Sequence, residues 1–281
     1  MKFSKLLIVA SFLAITTSSF AGGGWTHPKG QGYFKLGQSF IRTNQFFDAD
    51  ANEIPITTFG LYMTSFYGEY GFTDKFTGIV SVPLAVRAVL NRTVSQNTGQ
   101  TIVDGDQHTG IGDINLGFKY SLYKSEKFVL AGSLTLGLPA GTTTGGETQL
   151  LQTGDGEFNQ LVQLHASTSF SDFFASTNVG VNNRTEGFSE EFRYGFELGY
   201  SKSRLTVIAK LNGIISFMNG TTAPTGGSIF SNNLEYTNIS GEIAYTVYKN
   251  LGLSFSIQNP LGGRNVLNST NYNVGLFYNL K

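Results

Sequence analysis

From Gly110 to Tyr123 the side chains alternate with a period of two. Ile114, Leu116, Phe118, Tyr120 and Leu122 fall on one face, and Asp113, Asn115, Gly117, Lys119 and Ser121 on the other. Successive residues of a strand point to opposite sides of a sheet, so this segment has one purely apolar face and one polar or small one. A half-buried strand of a soluble sandwich looks the same. Here, however, the pattern recurs along the whole chain and predicts twelve strands. They lie near 31–43, 57–72, 76–90, 110–123, 127–140, 158–170, 173–184, 191–200, 204–216, 233–247, 251–259 and 270–280. Their apolar faces carry no charge: Phe128, Leu130, Leu134, Leu136 and Leu138 in the fifth, Phe192, Tyr194, Phe196, Leu198 and Tyr200 in the eighth. The second strand departs from this rule. Tyr62, Thr64, Phe66 and Tyr70 compete there with Leu61, Met63 and Tyr67 for the apolar side, which points to a bulge.

The connections fall into two alternating sets. Thr73-Asp74-Lys75, Lys124-Ser125-Glu126, Ser171-Asp172, Ser201-Lys202-Ser203 and Tyr248-Lys249-Asn250 are tight turns, whereas 44–56, 91–109, 141–157, 185–190, 217–232 and 260–269 are longer. An up-and-down barrel in an outer membrane sorts its connections this way, short toward the periplasm and long toward the exterior. A soluble barrel has no reason to do so. Rings gather beside the short turns (Tyr70, Phe72, Tyr120, Tyr123, Phe170, Phe173, Tyr200, Tyr245 and Tyr248), where an amphipathic aromatic suits the headgroup zone.

The N-terminus fits the same picture. Lys2 and Lys5, the apolar run Leu6 to Ile15 and the small residues of Ser19-Phe20-Ala21 read as an export signal over 1–21, too short to span a bilayer as a helix. A flexible lead-in, 22–30, carries the only Trp, and 31–281 is expected to form the barrel. Phe (24), Tyr (13) and Gly (35) are abundant and Pro (6) is scarce, a composition suited to closely packed strands. Cysteine is absent, which removes disulfides and thiolate metal sites. Basic and acidic residues balance at 19 each, so there is no basic excess to hold nucleic acid.

The polar faces supply the candidate chemistry. Lys35, Glu69, Arg87, Asp113, Lys119, Glu191, Arg193, Glu197, Lys210 and Glu242 are assigned inward, with Asn115 and His165 among the neutral groups. Charges enclosed in a barrel persist when paired or wetted, so these residues form a salt-bridge lattice, line an aqueous path, or do both. From them Lys35, Asp113, Asn115, Lys119, His165, Arg193, Glu197, Lys210 and Glu242 are the expected lumen-lining set. Trp25 and Pro28 are the candidate stopper at the periplasmic mouth. His165 shares a face with Ser167 and Ser169, a start toward a lipid-modifying hydrolase that would also need an orienting Asp or Asn, but the chain has only His27 and His108 besides it and no Gly-x-Ser-x-Gly elbow. We therefore expect no enzyme. The acids of the first two long loops, Asp48, Asp50, Glu53, Asp104 and Asp106, lack the spacing of a calcium loop, and no metal or cofactor is expected.

Three motifs carry a family likeness. Gly112-Asp113-Ile114-Asn115-Leu116-Gly117-Phe118-Lys119-Tyr120, Leu136-Gly137-Leu138-Pro139-Ala140-Gly141 and Gln152-Thr153-Gly154-Asp155-Gly156 resemble the outer-membrane proteins grouped as the meta-pathway phenol-degradation family. That family lies in the broad neighbourhood of the long-chain fatty-acid transporter. Trp25-Thr26-His27-Pro28-Lys29-Gly30 and Tyr67-Gly68-Glu69-Tyr70-Gly71-Phe72-Thr73-Asp74-Lys75 are similar to the same pattern. The resemblance implies a passive conduit for small solutes, hydrophobic or aromatic ones among them. Two features depart from it: about ten residues precede the first strand where the fatty-acid transporter has a long plug, and the chain ends Leu280-Lys281 without a terminal aromatic.

The expectation is thus an all-β, transmembrane antiparallel up-and-down β-barrel of about twelve strands, monomeric and in the bacterial outer membrane. Its expected partners are membrane lipid, a small-molecule solute and the barrel-assembly machinery. The competing classes are an outer-membrane lipid-modifying enzyme and a closed structural or adhesive barrel. Strand alternation is identical for an open and a filled lumen.

Overall fold

A computed structural model describes residues 23–221 and 232–281; the expected export signal over 1–21 and residues 222–231 of the loop 217–232 lie outside them. Twelve long strands wind into a closed antiparallel barrel. In chain order they are β1 (Gly32–Phe47), β2 (Glu53–Thr73), β3 (Phe76–Leu90), β4 (Asp106–Gly110 continued by Ile114–Lys124), β5 (Phe128–Leu138) and β6 (Asn159–Phe170). They continue with β7 (Phe173–Arg184), β8 (Glu191–Lys202), β9 (Leu205–Ser216), β10 (Glu235–Tyr248), β11 (Leu251–Arg264) and β12 (Asn271–Leu280). Each strand pairs with its chain neighbour, and β1 closes the circle by pairing with both β2 and β12. Above Ile41↔Asn271 the regular β1–β12 ladder is interrupted: Thr43 Oγ1 donates to the Asn268 carbonyl (2.6 Å) and Asn268 N–H to that of Gln45 (3.0 Å), and regular pairing of β1 returns with Val266 and Leu267 ahead of β12.

The tight turns and the longer connections lie at opposite rims. Phe46 and Ile56 keep the apolar alternation going, so β1 and β2 run further than the sequence suggests and the connection 44–56 shrinks to 48–52. Leu36, Phe118, Leu134, Leu164, Leu198, Leu253 and Leu276 lie open on the outer surface. A water-facing sheet does not sustain such a face. At the short-turn rim the rings Tyr70, Phe72, Phe76 and Phe118 touch in sequence at centroid spacings of 5.3, 6.0 and 5.7 Å. Among the outward residues, Gln38 and Thr64 are polar, and they satisfy each other by a hydrogen bond from Thr64 Oγ1 to Gln38 Oε1.

β2 resolves cleanly: Tyr62, Thr64, Phe66 and Tyr70 face outward, Leu61, Met63 and Tyr67 inward. The irregularity sits one strand further on. Thr64 pairs with Ala85 but Ser65 with Pro83, so Leu84 is an extra residue in β3. One inserted residue exchanges the two faces beyond it. Val86 and Ala88 therefore turn into the barrel, and Arg87, expected inward, projects outward and donates to Gln107 Oε1 at 2.7 Å. A break in β4 over 111–113 accompanies this bulge, with Gly112 N–H donating to the Pro83 carbonyl at 2.9 Å.

Candidate functional site

The barrel interior is organised in three levels. At the short-turn end the lead-in 23–31 threads inside the wall. Gly24 N–H donates to Ser167 Oγ (2.7 Å), Thr26 Oγ1 to the Asp74 carbonyl (2.9 Å), His27 N–H to Thr77 Oγ1 (2.9 Å) and Lys29 N–H to Asp74 Oδ1 (3.0 Å). Gly30 and Gly71 continue this as a short backbone ladder, Gly30 N–H to the Gly71 carbonyl and Gly71 N–H to that of Gln31. A side chain at Gly71 would put its Cβ 2.2 Å from the Pro28 carbonyl oxygen, so only glycine lets the lead-in lie so close. Trp25 packs edge-on against Phe174, with centroids 5.9 Å apart, and against Ile208. Pro28 is exposed at the rim.

The middle level is a band of ion pairs. Glu69 accepts from Tyr67 Oη and faces Lys119 Nζ (3.6 Å) and His27 Nε2 (3.5 Å). Lys119 also donates to the Gly23 carbonyl at 2.9 Å, which ties the lead-in to the wall. Glu242 bridges Lys35 (3.1 Å) and Lys210 (2.8 Å), and Lys210 lies 4.0 Å from Glu197. Of the nine residues expected along the lumen, Lys35, Lys119, Glu197, Lys210 and Glu242 meet in this lattice. Asn115 lies on the same inner face, between Ser81 and Gly137. His165 bonds through Nε2 to Ser133 Oγ on β5 (2.8 Å), not to Ser167 or Ser169, and its Nδ1 has no hydrogen-bond partner. A catalytic base needs an orienting acceptor on that second nitrogen. The triad geometry is not built.

The upper level is where sequence reading fell short. The connection 139–158 folds down into the barrel: Leu151, Thr153 and Glu157 are almost fully buried. Asp113 anchors it, its carboxylate accepting from the backbone N–H groups of Ala140 (3.0 Å), Gly141 (2.8 Å) and Asp155 (2.8 Å). A Cβ on Gly154 would lie 2.3 Å from that carboxylate, so the Gly-Asp-Gly run is what lets the loop close over Asp113. Arg184, on the inner face of β7, then gathers Asp155 (2.9 Å), Glu157 (2.7 Å) and Glu191 (2.8 Å), while Arg193 joins Glu191 at 2.7 Å. Burial and the neighbouring carboxylates of Glu157 and Asp113 push the Asp155 carboxyl up to about 7, against the opposing pull of Arg184.

Across from this cluster the inner wall is apolar. Phe59, Leu61, Val86, Ala88, Leu151 and Leu267 form a buried group, extended by Ile41 and Met63. Between the two walls is a cavity of about 380 Å³, bordered by Ile41, Leu61, Met63 and Leu267 on one side and by Arg184, Glu191 and Arg193 on the other. Arg184, Asp155 and Glu157 were absent from the expected lining. Arg184 shares its parity with Asn178, Gly180 and Asn182 and was legible on that ground; the inward fold of the loop was not.

Comparison with known proteins supports the architecture. Neither protein-family models nor curated sequences give a match. Among solved structures, the COG4313 outer membrane channel from Pseudomonas putida F1 is similar, with a TM-score of 0.65 at 12% identity over 92% of this chain and 98% of that one. The NanC porin aligns with a TM-score of 0.53 at 8% identity, over 87% and 98% of the two chains. The translocator domain of the autotransporter NalP from Neisseria meningitidis also scores 0.53, at 11% identity over 90% and 89%. At such identities the likeness shows a shared fold of outer-membrane barrels.

Proposed function

We propose that the chain is a bacterial outer-membrane channel of the meta-pathway phenol-degradation type that passes small amphipathic solutes, aromatic ones included, by passive diffusion. The observation that carries this reading is the two-sided cavity beneath the inserted loop. Ligand cavities begin at about 300 Å³, and this one, at about 380 Å³, holds a single ring with a polar substituent. A ring lies on Leu61, Met63 and Leu267 while its hydroxyl or carboxylate meets Arg193, the more open of the two arginines. Below it the ion pairs of Lys35, Glu242, Lys210 and Glu197 present both signs to the path, so the conduit favours neither anions nor cations strongly.

The lead-in acts as a stopper at the periplasmic mouth, with Trp25 as its wedge and Lys119 as its latch. One chain closes the barrel and supplies both walls of the cavity, which supports a monomer as the working unit. Purified barrel in planar bilayers tests the reading, with phenol, benzoate and an uncharged sugar of equal size added in turn. Transient blockade by the aromatic solutes, weakened by Leu61→Asn, is expected. Absence of conductance in both the full chain and a chain lacking 22–30 would overturn it.

A further inference from the structure

Beyond the conduit, the outer surface carries an unexplained pair of charges. Most outward side chains of the strands are apolar, yet Arg42 on β1 and Arg87 on β3 both project from these faces. They flank β2 at the same place: Arg42 pairs with Gly60 and Arg87 with Tyr62, two residues along. Neighbouring strands stand about 4.8 Å apart, so the two backbones are separated by only about 10 Å. Among the described residues no carboxylate forms an ion pair with either arginine, whereas Arg264 on the same rim is matched to Glu235 at 3.5 Å. Among the described residues Arg87 makes one side-chain hydrogen bond, to Gln107, which leaves most of its guanidinium donors open there.

Their height is informative. Arg42 is ten residues beyond Gly32; at about 3.3 Å per residue on a strand tilted by about 40° that is a rise of about 25 Å. Arg87 reaches a similar level above Phe76 once the bulge residue is discounted. The apolar band of such barrels is about 25 Å tall, so both guanidinium groups emerge where the acyl chains of the outer leaflet meet their headgroups. A groove of about 520 Å³ begins at that level, lined by Phe40, Arg42, Thr43, Tyr62, Thr270 and Tyr272. It lies beside the interruption of the β1–β12 ladder above Ile41. Rings form its lower wall and hydroxyls its upper edge. Among the described residues the one carboxylate hydrogen-bonded to the groove residues, Glu53, is already held by Asn268 Nδ2 at 2.7 Å.

We propose that this rim is a binding site for the phosphorylated glycolipid of the outer leaflet, with a sugar phosphate clamped between Arg42 and Arg87 over Tyr62 and an acyl chain lying along Phe40 and Tyr272. Two guanidinium forks suit phosphate oxygens better than any other anion available at that depth, and the aromatic wall suits the chain below. The site rests on the outer-membrane reading but not on conduction. Binding is therefore measured on detergent-solubilised full-length barrel, apart from any channel assay: a failure here leaves the conduit standing, and a silent channel leaves this site standing.

Native mass spectrometry with bisphosphorylated lipid A, its phosphatase-treated form and phosphatidylglycerol provides the test. The wild-type barrel is expected to retain lipid A, and to bind the dephosphorylated form and phosphatidylglycerol at least tenfold more weakly. Arg42→Ala with Arg87→Ala should lose at least tenfold in affinity for lipid A while keeping the folded band on unheated gels. Arg42→Lys with Arg87→Lys should recover part of it, and Lys249→Ala at the opposite rim should change nothing. Equal binding by the double alanine variant, or equal binding of phosphatidylglycerol by the wild type, overturns the proposal.

Discussion

Replacing Trp25 by alanine tests the stopper most directly. The lead-in is held by backbone hydrogen bonds, which the substitution leaves in place, and by the indole against Phe174 and Ile208. Truncating a fully buried Trp costs about 3–5 kcal/mol. Trp25 is only partly enclosed, so about 2 kcal/mol is the reasonable loss. At about 1.4 kcal/mol per tenfold, the released population of the lead-in should rise by about 30-fold. The absence of cysteine makes this measurable. Ser176 is buried behind Gly23 and bonded to Ser167, so in Ser176→Cys a maleimide reaches the thiol only when the lead-in leaves. Modification should quicken by about 30-fold in Trp25→Ala and little in Trp25→Phe, and the large conductance state should lengthen in parallel. Equal labelling rates with and without the indole would refute the reasoning, because the ring would then not be what holds the segment.

Four further outcomes follow from the same geometry. Gly71→Val drives a side chain into the Pro28 carbonyl and should free the lead-in as Trp25→Ala does, with the barrel still folded; unchanged proteolysis of the lead-in would contradict this. Arg184→Met strands the buried carboxylate of Glu157, while Glu191 keeps Arg193, a loss of about 3–5 kcal/mol. It should lower the midpoint of the heat-induced gel shift, and Glu157→Gln in the same chain should restore part of it. Asp113→Ala removes an ionised acceptor of three N–H groups, each worth about 1.5–3 kcal/mol, and should expose 139–158 to protease while the strands survive. Asp155 sets the pH response of that loop. Its folded value of about 7 exceeds the ordinary 3.8, so the folded loop binds the proton more tightly. The resulting stabilisation is complete below about 3.8 and is lost as pH rises through about 7. Loop flicker in single-channel records should therefore increase from pH 5 to 8 and become indifferent to pH in Asp155→Asn.

What the chain alone determined is the wall. Period-two alternation fixes which side of a strand meets hydrocarbon, and charge is excluded from that side by a cost of about 2–4 kcal/mol per Lys or Arg at mid-depth. Strand number, the sorting of connections and the inward placement of Lys35, Lys119, Glu197, Lys210 and Glu242 follow from that rule. Arg87 escaped it because one extra residue, Leu84, inverts the faces of β3, and nothing in a local pattern marks the residue at which parity changes. The apolar inner wall was ambiguous for a related reason: β2 is apolar on both parities, and its inner set becomes a wall only where Val86, Leu151 and Leu267 converge on it. Tertiary structure alone decided the site. Asp113, Asp155, Glu157, Arg184 and Glu191 come from a strand break, a loop and two other strands, and they meet because that loop folds inward and closes an ionic cluster no single segment contains. Local periodicity records which face of a strand is greasy. Which distant charges share the interior depends on where the connections go, and that is settled by pairing energies across the lumen.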